Sequence, residues 1–278
     1  MSIRTVMSIH GPRPTSEGSM TSFPTPARLS SLGALLFDLD GVLTPTAEVH
    51  MQAWSRLFTP YLEGKQVEGY TDADYFASID GRPRYDGVRA LLASRGITLP
   101  EGLPGDAPEL ETVCGLGNRK NRAFNETLEE DGVAPYPGSL AFLDAAIAAG
   151  VAVAVVTSSR NGVPVLEAAG LRDRFDVVVD GVLAADREIA GKPAPDTYLY
   201  AADLLGLPAS ACAVVEDAHS GVAAGRAGAF GLVIGVDRGV GADTLLAHGA
   251  DTVVDDLAEL LPFLPTRPAT AAPGARTS

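Results

Sequence analysis

The sequence predicts an α/β protein, a doubly wound parallel sheet with a helical segment inserted after its first strand. Three observations predict it. From Pro137 onward, short apolar runs alternate with stretches of helical period. Near-continuous apolar strands separated by helices belong to parallel sheets covered on both faces. Between the first apolar run and Pro137 lie about ninety residues of different texture, too many for a loop in a compact domain. The polar residues of interest also follow directly on apolar runs, and such sheets bind ligands at the carboxyl ends of their strands.

Taken in order, Ala34 to Phe37 is a strand-sized apolar run that ends in Asp38, Asp40 and the turn residue Gly41. The insertion follows, entered near Ala47 and left near Pro135. Its segments of helical period are Met51 to Leu62, Asp72 to Ser78, Gly87 to Ser94 and Asn118 to Glu130, joined by Gly- and Pro-rich loops. Ser139 to Ala149 puts Leu140, Leu143 and Ile147 on one helical face, with Gly150 as C-cap. Val151 to Val156 is a strand, Val163 to Ala169 a helix closed by Gly170, and Asp176 to Val179 a strand. Asp196 is placed to N-cap a helix through Leu205 that Gly206 closes. Ala213 to Val215 reads as a strand, Gly221 to Ala227 as a helix, and Leu232 to Ile234 and Thr252 to Val254 as the last strands. These limits divide the chain into a core of residues 33–46 and 134–262, an insertion of residues 47–133, a disordered leader of residues 1–32 and a disordered tail of residues 263–278. The leader is rich in Ser, Pro and Thr and lacks an apolar signal-peptide segment. No internal repeat is visible.

Composition narrows the function. The chain has 278 residues, 46% of them hydrophobic, enough for a sizeable core. Its 35 acidic against 21 basic residues give a net charge of −14. A broadly acidic surface repels nucleic acid and anionic membrane, so neither is expected as a partner. An anionic substrate must then be held by a few local cations. The two cysteines, Cys114 and Cys212, have no CxxC spacing, which argues for reduced thiols rather than a zinc or redox motif. No apolar run approaches the length of a membrane span.

Four groups of residues carry chemistry. Asp38 and Asp40 are two apart at a strand end, so they share a face. There they suit either a solvated turn or a site in which a divalent cation and a phosphate offset their charge. One carboxylate would then attack phosphorus while its neighbour moves a proton. Thr157-Ser158-Ser159-Arg160-Asn161-Gly162 offers hydroxyls and backbone N–H groups to phosphate oxygens, or is a plain N-cap. Lys192, between Gly191 and two prolines, is either a solvated lysine or a cation that neutralises a phosphoryl group together with the aspartate. Glu216 and Asp217 end another apolar run. They suit Mg²⁺, which takes one or two carboxylates, waters and a substrate phosphate, or else an acidic helix start.

In their order and spacing these segments, DLDGVLT, VVTSS, GKPAPD and VVEDAHSG, resemble the four motifs of the haloacid dehalogenase-like phosphotransferase superfamily. The resemblance spans Ala34 to Leu260. It implies a Rossmann-like core carrying an α-helical cap, with Mg²⁺ held by Asp38, Asp40, Glu216 and Asp217. Thr44-Pro45-Thr46-Ala47-Glu48-Val49-His50, with Trp54 beyond, further resembles the signature of β-phosphoglucomutases. That likeness implies Asp38 as phosphorylated nucleophile, Asp40 as general acid/base, and Thr157 and Lys192 as further catalytic groups. Thr46 and His50 would link cap closure to the positioning of Asp40. Gly81 and Arg84 fall in a segment like the family's substrate-specificity loop, with Arg84 on the distal phosphate, and Lys120 in a second basic strip, Gly117 to Asn121. Ser158, Ser159, Arg160 and Asn161 would be core-side substrate contacts. Asp80 stands where a family member has a lysine, which inverts a charge near the sugar phosphate. The implied activity is Mg²⁺-dependent sugar phosphomutation between β-glucose 1-phosphate and glucose 6-phosphate through an aspartyl-phosphate and a bisphosphate. The alternatives are a sugar-phosphate phosphatase on the same scaffold, or a catalytically silent sensor that would normally have lost Asp38, Asp40 or Lys192. The expected partner is a small sugar phosphate, and the protein is expected to be a cytoplasmic monomer.

Overall fold

The computed structural model describes residues 29–265. Its strands are β1 (Ala34–Phe37), β2 (Ala152–Val156), β3 (Val177–Val179), β4 (Cys212–Glu216), β5 (Leu232–Val236) and β6 (Thr252–Val254). They form one sheet in the order β3-β2-β1-β4-β5-β6, and every pairing is parallel. The chain winds outward from β1 through β2 to β3, then crosses to β4 on the other side of β1. The reversal opens a crevice at the carboxyl ends of β1 and β4, the ligand position in sheets of this kind.

Four helices make up the segment inserted after β1: α1 (Thr46–Lys65), α2 (Asp72–Asp74), α3 (Arg84–Ser94) and α4 (Val113–Asp131), with a π-turn at Tyr75–Ile79. They share a core of their own, in which Trp54, Phe58 and Leu62 meet Val88, Leu91 and Leu116. The remaining helices are α5 (Pro137–Ala148), α6 (Gly162–Ala168), α7 (Gly181–Asp186), α8 (Asp196–Leu204), α9 (His219–Ala227) and α10 (Ala242–His248). Strand side chains alternate between the two faces. Leu35, Phe37, Val153, Val155 and Val215 join Phe142 and Leu143 on one side of the sheet. Leu36, Ala154, Val156 and Val214 join Tyr198, Ala201 and Val222 on the other. Each such buried aliphatic or aromatic side chain contributes about 1.5–3 kcal/mol.

The structure corrects several sequence expectations. In α5 the buried stripe is Ser139, Phe142, Leu143 and Ala146, spaced i, i+3, i+4, i+7 as a core face requires. Ile147, expected on that face, is 38% exposed. Asp196 is the first residue of α8, and Pro195 precedes it as the N-cap. Helix α1 begins at Thr46, five residues before the expected start. Helices α7 and α10 were not anticipated. Asp180 caps α7 by accepting bonds from the Val182 and Leu183 amides, a signal hidden in an Asp-Gly pair that also reads as a turn. Cys114 lies inside α4, and both cysteines are free and buried. At the ends, Leu29 and Leu32 are buried in the core and Phe263 packs against it, so packing extends beyond the limits drawn for leader and tail. The rest of those two segments, residues 1–28 and 266–278, lies outside the described residues. Among the described residues, no helix is long and apolar enough to cross a membrane.

Candidate active site

Strand β1 delivers Asp38 to the crevice, its amide bonded to the Val215 carbonyl of β4 (2.9 Å). Strand β4 ends in Glu216, and Asp217 follows. Carboxylate oxygens of Asp38, Glu216 and Asp217 lie within 4.8 Å of one another, and all three residues are buried. Lys192 reaches in from the loop before α8. Its ammonium donates to Asp38 Oδ1 (2.6 Å), Glu216 Oε1 (2.5 Å) and the Val156 carbonyl (3.0 Å), while Tyr198 donates its hydroxyl to the same Glu216 oxygen (2.8 Å). Burial works against the Lys192 charge, but Asp38 and Glu216 outweigh it and pull its pKa up. One ammonium does not balance three carboxylates. Burial raises Asp38 well above 3.8 despite Lys192. It raises Asp217 well above 3.8 too, with Asp80 and Asp38 adding to the effect.

The donor set fits a hard divalent cation. It is all oxygen, compact and short of positive charge, as Mg²⁺ sites are. The turn at Gly41 closes tightly around it: a Cβ there would lie 1.8 Å from Asp217 Oδ2, and the residue's φ of +85° suits glycine. The Asp40 carboxylate is not part of this cluster. A pH signature follows. Asp38 and Asp217 hold protons in the folded state above 3.8, where the unfolded chain has released them. The metal-free protein therefore loses stability as pH rises from about 4 through the raised folded-state values. Cation binding needs the ionised carboxylates and so gains with pH. Calorimetry in EDTA is expected to give a falling melting temperature from pH 5 to pH 8, and Mg²⁺ an increment that grows over the same range. An increment that shrinks with pH would contradict this charge state.

Asp40 turns instead toward the base of α1. It accepts a short hydrogen bond from the Thr46 hydroxyl and a longer one from Thr157 (3.4 Å), and lies 3.4 Å from His50 Nε2. Thr46 bonds back to Thr44 (2.8 Å). On its other edge His50 Nδ1 contacts the Lys120 ammonium of α4, and its ring stacks on Phe124 (4.1 Å between centroids). Burial alone would raise the Asp40 carboxyl, but His50, Thr46 and Lys120 together bring it down to about 2. Burial and Lys120 lower His50, and burial and Arg84 lower Lys120. An ionised Asp40 is thus held ready to accept a proton, at the end of a chain of groups that runs into α4.

The loop before α3 closes the other side of the crevice. Gly81, Arg84 and Lys120 from the helical segment face Asp38, Asp40 and Asp217 across a cleft of about 70 Å³, well below the roughly 300 Å³ at which ligand pockets begin. His50, Thr157, Ser158 and Ser159 also line it. This is a closed conformation, and a ligand of ordinary size needs it to open. At the far end Arg84 donates to Asn121 Oδ1 (2.7 Å), which Asn161 also holds (2.7 Å). Burial lowers Arg84 only to about 10, so it stays cationic. Thr46, Lys192 and Glu216 stand behind the lining and hold it. Arg160 and Asn161 do not line the closed cleft: Arg160 lies against Gly181, 3.4 Å from its carbonyl, and Asn161 reaches the cleft only through Asn121.

Some groups escaped sequence reasoning. Tyr198, fully buried under Lys192, reads in sequence as an ordinary helix-face aromatic. Asn121 lies in the basic strip but was not singled out as a bridge. Asp80 is 7% exposed and its carboxyl is raised to about 7, by burial first and by Glu216. It lines the same cleft as Arg84 and Asp217.

Comparison with known proteins agrees with this geometry. Residues 32–228 match the haloacid dehalogenase-like hydrolase family. A β-phosphoglucomutase from Mycobacterium bovis is 52% identical over 239 residues, which is 82% of this chain and 91% of that protein. The chain belongs to the β-phosphoglucomutase family of haloacid dehalogenase-like hydrolases. The protein is accordingly an enzyme, a phosphomutase on that scaffold. Among solved structures, a β-phosphoglucomutase from Clostridium difficile superposes with a TM-score of 0.66 at 25% identity, covering 82% of this chain and 93% of that one. CbbY from Rhodobacter sphaeroides in complex with xylulose-(1,5)bisphosphate gives 0.65 at 25% identity, over 84% of this chain and all (100%) of that chain. In the family's terms the helical segment α1–α4 is the cap and the sheet with its helices is the core.

Proposed function

We propose that the enzyme is a Mg²⁺-dependent sugar phosphomutase that interconverts β-glucose 1-phosphate and glucose 6-phosphate. One observation carries the reading: a single closed cleft has a cation on each side, Lys192 behind the Asp38 cluster on the core and Arg84 on the cap. A phosphatase needs one phosphate site. Two facing sites suit a substrate that carries phosphate at one end during each transfer and at both ends between transfers. Asp38, Glu216 and Asp217 would hold Mg²⁺, which would offset charge on the transferring oxygens.

With Asp38 phosphorylated, the free hydroxyl of the bound sugar phosphate attacks phosphorus in line, ionised Asp40 takes the hydroxyl proton, and the bond to the Asp38 oxygen breaks to leave the sugar bisphosphate and a free Asp38 carboxylate. The bisphosphate then presents its other end, Asp38 attacks that phosphorus, the bond from phosphorus to the sugar oxygen breaks, and Asp40 returns the proton to that oxygen. General acid/base help of this kind is worth about 10²–10⁴-fold, and transferring phosphoryl groups otherwise asks mainly for alignment and charge neutralisation. Lys192 and the Thr157 hydroxyl serve the transferring group, and Arg84 and Lys120 the distal phosphate. The closed cap excludes water, which competes with the sugar for the aspartyl-phosphate. The acidic surface and the closed cleft agree with a small-molecule partner and a cytoplasmic setting.

The test is to incubate the protein with Mg²⁺, β-glucose 1-phosphate and a trace of the 1,6-bisphosphate, and to follow glucose 6-phosphate and free phosphate together. Isomer without phosphate release is expected, and phosphate release alone overturns the reading. Arg84→Ala is expected to cut isomerisation by about 10²-fold, the scale on which loss of a charged contact acts, while sparing turnover of a small phosphoester. Equal losses on both substrates would remove Arg84 from the distal site.

A further inference from the structure

We propose that Ser158 and Ser220 are positioning residues that latch the cap loop shut, and so decide whether the aspartyl-phosphate goes to sugar or to water. The inference rests on the mutase reading for its consequence and on geometry alone for the latch. Ser158 Oγ donates to the Gly81 carbonyl (2.8 Å), and Ser220 Oγ donates to the Asp80 carbonyl (3.0 Å). The two acceptors are consecutive peptide groups of one cap loop, 77 and 140 residues distant from their donors. Among the described residues no backbone donor meets either carbonyl. In the closed state the serines alone satisfy them, and in the open state water does.

The fit around these bonds is tight. Gly81 has φ +68°, and a Cβ there would lie 2.2 Å from Ser220 Oγ and 2.9 Å from Ala218 Cβ. Two residues on, Pro83 abuts Gly191, where a Cβ would come within 2.5 Å of the proline ring. The cap loop thus touches three core loops. Each of them also carries a group of the phosphoryl site: Thr157 beside Ser158, Lys192 beside Gly191, and Asp217 three residues before Ser220. Closure is therefore read by the same loops that handle the transferring phosphate. The Ser158 hydroxyl is spent on the cap and is not presented to a phosphate, which changes the role its motif position suggests.

The chemical consequence is a partition. With the loop latched, a sugar hydroxyl attacks phosphorus, the bond to the Asp38 oxygen breaks, and Asp40 takes the proton. With the loop free, water makes the same attack, and inorganic phosphate leaves. A single net hydrogen bond shifts such an equilibrium by about fivefold.

Two readouts test the latch on the full-length protein. Without any substrate, hydrogen exchange followed by mass spectrometry reports opening of the loop around residues 79–84. With Mg²⁺, β-glucose 1-phosphate and trace bisphosphate, the ratio of isomer formed to phosphate released reports the partition. Ser220→Ala is expected to speed loop exchange by about fivefold and to lower the ratio by a similar factor through a fall in kcat/KM for the sugar phosphate, with turnover of p-nitrophenyl phosphate within about twofold. Ser158→Ala is expected to give a like change in exchange and ratio, and the double variant a change of about tenfold or more. Gly81→Ala, which blocks seating of the loop by another route, is expected to match the double variant. Unchanged exchange and unchanged ratio in the double variant overturn the proposal. If the wild type makes no isomer, the mutase reading fails, and the exchange measurement still decides the latch.

Discussion

Asp38→Asn is expected to abolish phosphoryl transfer to every substrate. Loss of a nucleophile on which all later steps depend costs on the order of 10⁴–10⁶-fold in turnover. The expectation rests on position. Asp38 leaves β1 at the strand reversal, its amide fixed on β4 (2.9 Å), and its Oδ1 is 2.6 Å from the Lys192 ammonium. Burial alone would keep this carboxyl protonated and unreactive. Lys192 on one side, and a divalent cation among the three carboxylates on the other, supply the positive charge that makes it an anion able to attack. Asn keeps the shape and removes the charge. The check is direct: wild-type protein treated with bisphosphate and quenched in acid gains one phosphoryl group on the peptide containing Asp38, and the variant gains none. Residual transfer within about tenfold of wild type would place the nucleophile elsewhere.

Lys192→Met is expected to have the largest effect on stability. Lys192 and Glu216 side chains are each 1% exposed and Asp38 is 9% exposed. Removing the ammonium leaves buried carboxylates without a partner, a change that typically costs about 3–5 kcal/mol. The acids limit the loss by taking up protons, so the sign of the pH dependence is fixed. The penalty is full at high pH, where the Asp38 carboxyl would be charged, and shrinks as pH falls toward its raised value. Denaturant unfolding in EDTA is expected to show a loss of about 3 kcal/mol at pH 8 and clearly less at pH 5, with Mg²⁺ restoring part of it at pH 8. Activity is expected to fall by a further 10²–10³-fold, as when one donor to a developing charge is removed. A loss below about 1 kcal/mol at pH 8 would mean that Lys192 is not the main counter-charge of Asp38 and Glu216.

Much of this site was legible in the chain because its parts are local. Asp38 and Asp40 follow one apolar run, Glu216 and Asp217 another, and Thr157 a third. A parallel sheet brings such strand ends together whatever the loops between them do. Thr46, His50 and Trp54 are spaced by four, so a helix puts them on one face, and His50 indeed reaches Asp40 from α1. The misreadings share a different cause. Ile147 fits a helical period as well as Phe142 does, and only the position of the sheet decides which face is covered. The resemblance groups Asp40 with the cation's residues without saying where its carboxylate goes, and the Thr46 hydroxyl and His50 hold that carboxylate apart from the acidic cluster. Arg160 sits beside phosphate-binding residues in the motif and folds back to Gly181 in space.

By itself the sequence determined the sheet, the strand-end chemistry and the family, since these depend on alternation, turn residues and spacings of a few positions along one chain segment. The tertiary structure decided how the cap meets the core: which carbonyls Ser158 and Ser220 hold, which oxygen Tyr198 shares with Lys192, and how Asn121 ties Arg84 to Asn161. Those contacts join residues 18 to 140 positions apart. Their partners are chosen by the packing of whole elements against each other, a choice that no short-range periodicity encodes.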